Sequence, residues 1–214
     1  MLFDFDGPLA DLFARRPAAR IAEALRARTV DLDLQPEELN GVSDPLRVLQ
    51  ITAKRDASGR LTSELEGLLA QEEVLAAATA LPTPHARRLV HSLAESGRKV
   101  AITTNNSAAA ATAYLHRRGL SRYFGAHVYG RAADLGLLKP DPHCLTRAMA
   151  CTGEPPESCL MIGDSPSDLL AAESAGVAFL GFARDERKAL SLRQAGARHV
   201  VASLEHLSVV AVPV

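Results

Sequence analysis

The chain has 214 residues, 47% of them hydrophobic and 23% charged. That is enough apolar material for a packed core, and it excludes a disordered or coiled-coil chain. A formal net charge of −1 gives no reason to expect nucleic acid or an anionic membrane as partner. No window of 18 uncharged apolar residues occurs and no charged-then-apolar leader precedes the first strand, so neither a membrane span nor a secretory signal is expected.

The chain opens on a short apolar run that ends in Asp4-Phe5-Asp6-Gly7. Side chains alternate along a strand, so Asp4 and Asp6 face the same way while Phe5 turns into packing. Two carboxylates that close repel unless a cation lies between them or one stays protonated. Such a pair suits a Mg²⁺ ion, a carboxylate nucleophile and a neighbouring acid/base. An isolated Asp-x-Asp also reads as a plain strand end with an Asp-Gly turn. Met1 precedes this strand by one residue, so either the strand is short or the start codon lies upstream.

Residues 12–81 carry no convincing strand and read as helices over 17–28, 36–39, 45–53 and 61–80, with Asp44-Pro45 as a cap and first-turn proline. Arg15, Arg16, Arg47, Lys54 and Arg55 there either meet an anionic substrate or are solvated helix residues, and the second reading keeps them off the list of site residues. A helical insert after the first strand sits over that strand's carboxyl end, the edge where open α/β sheets bind ligands. Residues 12–81 are therefore expected to form a helical cap, and 1–11 with 82–214 the core.

Beyond Pro82, helix and strand signals alternate. Helices are expected over 86–96, 107–118, 143–151, 166–174 and 185–194, and strands over 100–103, 127–129, 159–162, 177–180 and 199–201. Short apolar runs separated by helices predict an α/β fold, a Rossmann-like doubly wound parallel sheet. Cys144, Cys151 and Cys159 are odd in number and lack a zinc or redox spacing, so they read as reduced thiols in a cytoplasmic protein.

Three more places carry chemistry at strand ends or on loops. Thr103-Thr104-Asn105-Asn106 precedes a helix and offers hydroxyl, amide and backbone N–H groups to an anion, or Asn106 or Ser107 simply caps that helix. Lys139 stands in a loop stiffened by Pro140 and Pro142, where it either neutralises a phosphate and nearby carboxylates or is solvated. In Gly163-Asp164-Ser165-Pro166-Ser167-Asp168, Asp164 leaves a strand as Asp4 does, and Asp168 follows one helical turn later. Taken alone, that segment is also a capped helix start.

In this order, the four stations resemble the haloacid dehalogenase superfamily: Asp4 to Gly7 its first motif, Thr104 with Asn105 the second, Lys139-Pro140 the third, and Gly163 to Asp168 the fourth. The resemblance covers the whole core and implies a Mg²⁺-dependent phosphatase acting on a small phosphorylated metabolite. It implies Asp4 as nucleophile forming an aspartyl-phosphate, and Asp6 as acid and then base. Mg²⁺ falls to the Asp4 side chain, the Asp6 carbonyl and Asp164. The phosphate falls to Thr104, Asn105 and Lys139, with Asp168 orienting Lys139. Pro8 departs from the usual Thr or Val beside the acid/base. A β-phosphoglucomutase-like phosphomutase and a non-catalytic binding protein on the same fold remain alternatives. The dehalogenating branch does not use an Asp at the position of Asp6.

Overall fold

The computed structural model describes residues 1–31 and 37–207. Six short strands form a parallel sheet: β1 (Leu2–Phe3), β4 (Ala101–Thr103), β5 (Val128–Tyr129), β6 (Leu160–Gly163), β7 (Ala178–Phe182) and β8 (Val200–Val201), in the order β5-β4-β1-β6-β7-β8. Strand order runs outward in both directions from β1, which makes the carboxyl end of β1 the switch point of a doubly wound sheet. The expected strands agree to within two residues at each end. The helices α4 (Ala86–Glu95), α5 (Ala108–Arg118), α7 (His143–Thr152), α8 (Pro166–Ser174) and α9 (Glu186–Gln194) fall where apolar periodicity placed them. A short α6 (Ser121–Phe124) was not anticipated.

Alternation in β1 divides the core. Phe3 and Phe5 enter a cluster with Leu89, Val90, Tyr114 and Phe124 on one face of the sheet. Leu2 enters the other, with Leu145, Ala148 and Ala171. Phe5 meets Tyr114 edge-on, ring centroids 5.3 Å apart, a favoured aromatic geometry. All three cysteines are free thiols. No helix among the described residues is long and apolar enough to cross a membrane.

Between the first strand and α4 lie three helices, α1 (Ala18–Asp31), α2 (Pro45–Arg55) and α3 (Arg60–Thr79), packed around their own apolar cluster of Ile21, Leu25, Val48, Leu49, Leu61, Leu65 and Leu69. Asp44 caps α2, accepting from the Leu46 N–H at 2.9 Å ahead of Pro45. The predicted 36–39 helix is a 3-10 turn over Glu37–Leu39, and Pro36 lies outside the described residues, as does the core segment beyond 207.

Two further features escaped the sequence. β2 (Ala10–Asp11) and β3 (Leu81–Pro82) pair antiparallel, joining the two ends of the helical segment in a two-stranded ribbon. Thr83 braces it by donating to the Gly7 carbonyl at 2.6 Å. Helix α3 also belongs to both bodies: its first half fills the helical cluster, while Ala76 and Ala77 enter the sheet cluster beside α5. Small side chains at a helix contact allow such close approach.

Candidate active site

The first strand sets the site. The Asp4 N–H donates to the Ile162 carbonyl at 2.9 Å, extending the β1–β6 ladder by one residue. Asp4 is thereby held buried, with Asp6 half-buried beyond it, and both line a cleft of about 380 Å³ walled by sheet loops and by Phe13, Pro45, Leu46 and Leu69. Asp6 Oδ1 accepts from the Leu12 N–H at 2.9 Å. Gly7 has φ +112°, and a Cβ there would collide with the Asp164 carboxylate. The first and fourth motifs thus meet through a glycine that no other residue replaces without strain.

Lys139 is the hub. Its ammonium donates to Asp4 Oδ1 at 2.9 Å, to the Thr103 carbonyl at 2.9 Å and to Asp168 Oδ1. All three donors are therefore used, with the side chain 2% exposed. The Lys139–Pro140 peptide bond is cis. The Asn105 side chain fixes the same loop, accepting from the Lys139 N–H at 2.8 Å and donating to its carbonyl at 3.1 Å.

Asp4, Asp164 and Asp168 present carboxylate oxygens within 4.8 Å of one another, and no other set of three acidic, His or Cys side chains among the described residues converges so closely. Asp168 is already committed. Its Oδ2 accepts from the N–H groups of Asp164 and Ser165, each at 3.1 Å, and from the Ser165 hydroxyl at 2.7 Å, closing a capping box on α8. Asp4 and Asp164 remain as oxygen ligands, a donor set that fits a hard divalent cation such as Mg²⁺.

Cations from the loop after β7 and from α9 also reach this cluster. Lys188 pairs with Asp164 Oδ2. Arg184 pairs with Asp11 Oδ1 at 2.6 Å and stands 3.9 Å from both Asp6 Oδ1 and Asp164 Oδ2. Burial is the main cause that pushes Asp4 up to about 7, partly opposed by Lys139 and reinforced by Asp168 and Asp164. Burial likewise lifts Asp6 to about 6, against the Leu12 N–H, and Asp164 to about 6, against Lys188. Burial opposes the charge on Lys139, but Asp168 and Asp4 outweigh it and raise that group.

On the other side, the Thr104 hydroxyl donates to Asn106 Oδ1 and accepts from the Asn106 N–H, both at 3.2 Å. Behind this turn lies a buried acid, Glu73 of α3, which receives Asn106 Nδ2 at 3.1 Å and the Ser107 N–H at 2.8 Å. A larger hollow of about 690 Å³, lined by Arg47, Lys54, Glu66 and Asp134 among others, contains none of the four stations.

The structure therefore gathers all seven sequence-derived residues, Asp4, Asp6, Thr104, Asn105, Lys139, Asp164 and Asp168, on the wall of one cleft. The Asn105 side chain is spent on the Lys139 loop. Sequence reasoning missed Glu73, Arg131, Arg184 and Lys188. Glu73 alone carried a signal, because it continues the i+4 row Leu61, Leu65, Leu69 on the buried face of α3.

A family model described as haloacid dehalogenase-like hydrolase matches residues 1–176. A phosphoglycolate phosphatase of Pseudomonas putida is 26% identical over 191 residues, 85% of this chain and 68% of that protein. A pyrophosphatase of Halalkalibacterium halodurans is 35% identical over 96 residues, 44% of each chain. In six curated relatives, that pyrophosphatase among them, the matched segment spans less than half of the relative's length. A hydrolase from Pseudomonas syringae shares the fold, with a TM-score of 0.69 at 23% identity, covering 99% of this chain and 98% of the other. With its motifs converging at the switch point of the sheet and a family match across most of its length, the chain belongs to the haloacid dehalogenase-like hydrolases.

Proposed function

We propose that this protein is a Mg²⁺-dependent phosphatase that hydrolyses a small phosphorylated metabolite through a phosphoryl group carried on Asp4. The observation that carries the proposal is the hub of Lys139 on Asp4 and Asp168, with Asp164 alongside. Residues 12–81 act as the cap, the β2–β3 ribbon as its attachment, and the cleft between cap and sheet as the substrate site. Names among the relatives point to phosphoglycolate or pyrophosphate as starting substrates. Three free thiols suit the reducing cytoplasm.

Asp4, Asp164 and the Asp6 main-chain carbonyl would hold Mg²⁺, which supplies charge neutralisation between an anionic phosphate and the carboxylates. Lys139 holds Asp4 Oδ1 in place and keeps a positive charge at the floor of the cleft. An Asp4 oxygen bonds to phosphorus as the ester P–O bond breaks. The carboxyl of Asp6, lifted toward neutrality, gives its proton to the leaving oxygen. Asp6 then takes a proton from the water that breaks the acyl phosphate, releasing inorganic phosphate and restoring Asp4. Thr104 and the backbone at Asn105 hold phosphoryl oxygens, and Asp168 orients Lys139.

A panel of phosphorylated acids, sugars and nucleotides with Mg²⁺ tests this reading. Release of inorganic phosphate from at least one member, abolished by EDTA, is expected. Isomerisation of a sugar 1-phosphate without release identifies a phosphomutase instead, and an inert panel rejects catalysis.

A further inference from the structure

Glu73 and Arg131 form a buried ion pair that the catalytic stations do not require. Arg131 Nη1 and Nη2 reach Glu73 Oε1 and Oε2 at 2.9 and 3.1 Å, a two-pronged contact, with the side chains 0% and 1% exposed. Arg131 also donates to the Asn105 carbonyl at 3.0 Å and, through Nε and Nη2, to Glu66 Oε1 at 3.1 and 3.0 Å. Its own N–H donates to the Asn106 carbonyl at 2.8 Å. Glu73 takes the Asn106 amide and the Ser107 N–H as well. The pair therefore ties α3 to three consecutive residues of the turn 105–107 and, through Asn106 Oδ1, to the Thr104 hydroxyl.

Burying such a pair is a poor way to gain stability, because desolvation offsets the attraction and an apolar replacement is often equally stable. Planar two-pronged contacts do fix geometry. We propose that Glu73 and Arg131 are positioning residues for the phosphate-binding turn, so that α3 sets the orientation of Thr104, Asn105 and Asn106. This rests on the phosphatase reading above. It adds that the turn is held from the helical segment through a charge pair 58 residues apart in sequence.

Four donors converge on the Glu73 carboxylate, so Glu73→Gln places an amide N–H against one of them. The decisive protein is the double variant Glu73→Leu/Arg131→Met, which removes both charges at once, and Arg131→Lys keeps the charge without the fork. Each is compared with wild type for thermal midpoint, for inorganic phosphate affinity by titration calorimetry with Mg²⁺, and for kcat and KM. A folded double variant should bind phosphate about tenfold more weakly and lose about 10²-fold in kcat/KM, the scale of a small misplacement of catalytic groups. Arg131→Lys should fall between it and wild type. If the double variant or, where that fails to fold, Arg131→Lys keeps wild-type phosphate affinity and kcat/KM, the pair is an anchor only and the inference is overturned. Absence of phosphate release by wild type itself would reject the phosphatase reading instead.

Discussion

Two lysines meet the same cluster of carboxylates from opposite sides, and their surroundings separate their roles. Lys139 comes from a loop fixed by Asn105, has its side chain 2% exposed, and spends every donor on Asp4, Asp168 and the Thr103 carbonyl. Lys188 comes from the first turns of α9, has its side chain 29% exposed, and touches the cluster at Asp164 alone. In low dielectric an unpaired charge is costly, so the buried cation is part of the architecture. Near water the same contact is screened and exchangeable. One lysine is a fixed member of the site; the other is a counter-ion on Asp164, a residue proposed above to hold Mg²⁺.

The largest expected effect lies on Asp4, the acid that the buried lysine holds. Asp4→Asn should lower phosphate release by about 10⁴-fold or more, the scale seen when a nucleophile is removed. Turnover at the wild-type rate would remove Asp4 from the chemistry. Lys139→Met should leave Asp4 and Asp168 buried without their cation, costing ~3–5 kcal/mol in denaturant unfolding together with activity. A stable, active Lys139→Met protein would end the distinction between the two lysines.

The acidic side of the comparison is sharpened by pH. Asp4, Asp6 and Asp164 are held above their ordinary values by burial, at about 7, 6 and 6. Their folded forms hold protons that the unfolded chain has already lost above about pH 4. Their contribution to stability is therefore present at low pH and fades as pH rises through about 6 to 7. Mg²⁺ binds the ionised form, so the rise in thermal midpoint on adding Mg²⁺ should be small at pH 5 and larger at pH 8. An equal rise at both would contradict the assignment of the Asp4 and Asp164 carboxylates to the metal.

Lys188→Met should have the smallest effect. Removing an ammonium from Asp164 should tighten Mg²⁺ binding by up to about fivefold in calorimetry, the worth of a partly exposed ion pair. Weaker binding would mean that Lys188 supports the metal instead of competing with it.

The same contrast explains what the sequence disclosed. Asp4, Thr104 and Asp164 each stand at the end of a short expected strand, so the parallel-sheet rule alone brought them to one edge. Lys139 was legible from its prolines and its place in the motif order. Arg184 and Lys188 lie on or just before a helix that also carries Arg187 and Arg193, and nothing in the pattern marks one of these cations as facing inward. Arg131 stands in a loop without periodicity, and its partner is far away in the chain. The β2–β3 ribbon uses two residues per strand, too few for alternation to register. Glu73 is the instructive omission, since a charge on an apolar helical row calls for a buried partner.

The most direct test is rapid quenching of wild-type enzyme with substrate and Mg²⁺, followed by peptide mass spectrometry. A transient phosphoryl group on the peptide containing Asp4, absent in Asp4→Asn, is the expected result. Continued phosphate release with no adduct there, or with the adduct on another residue, would contradict the account.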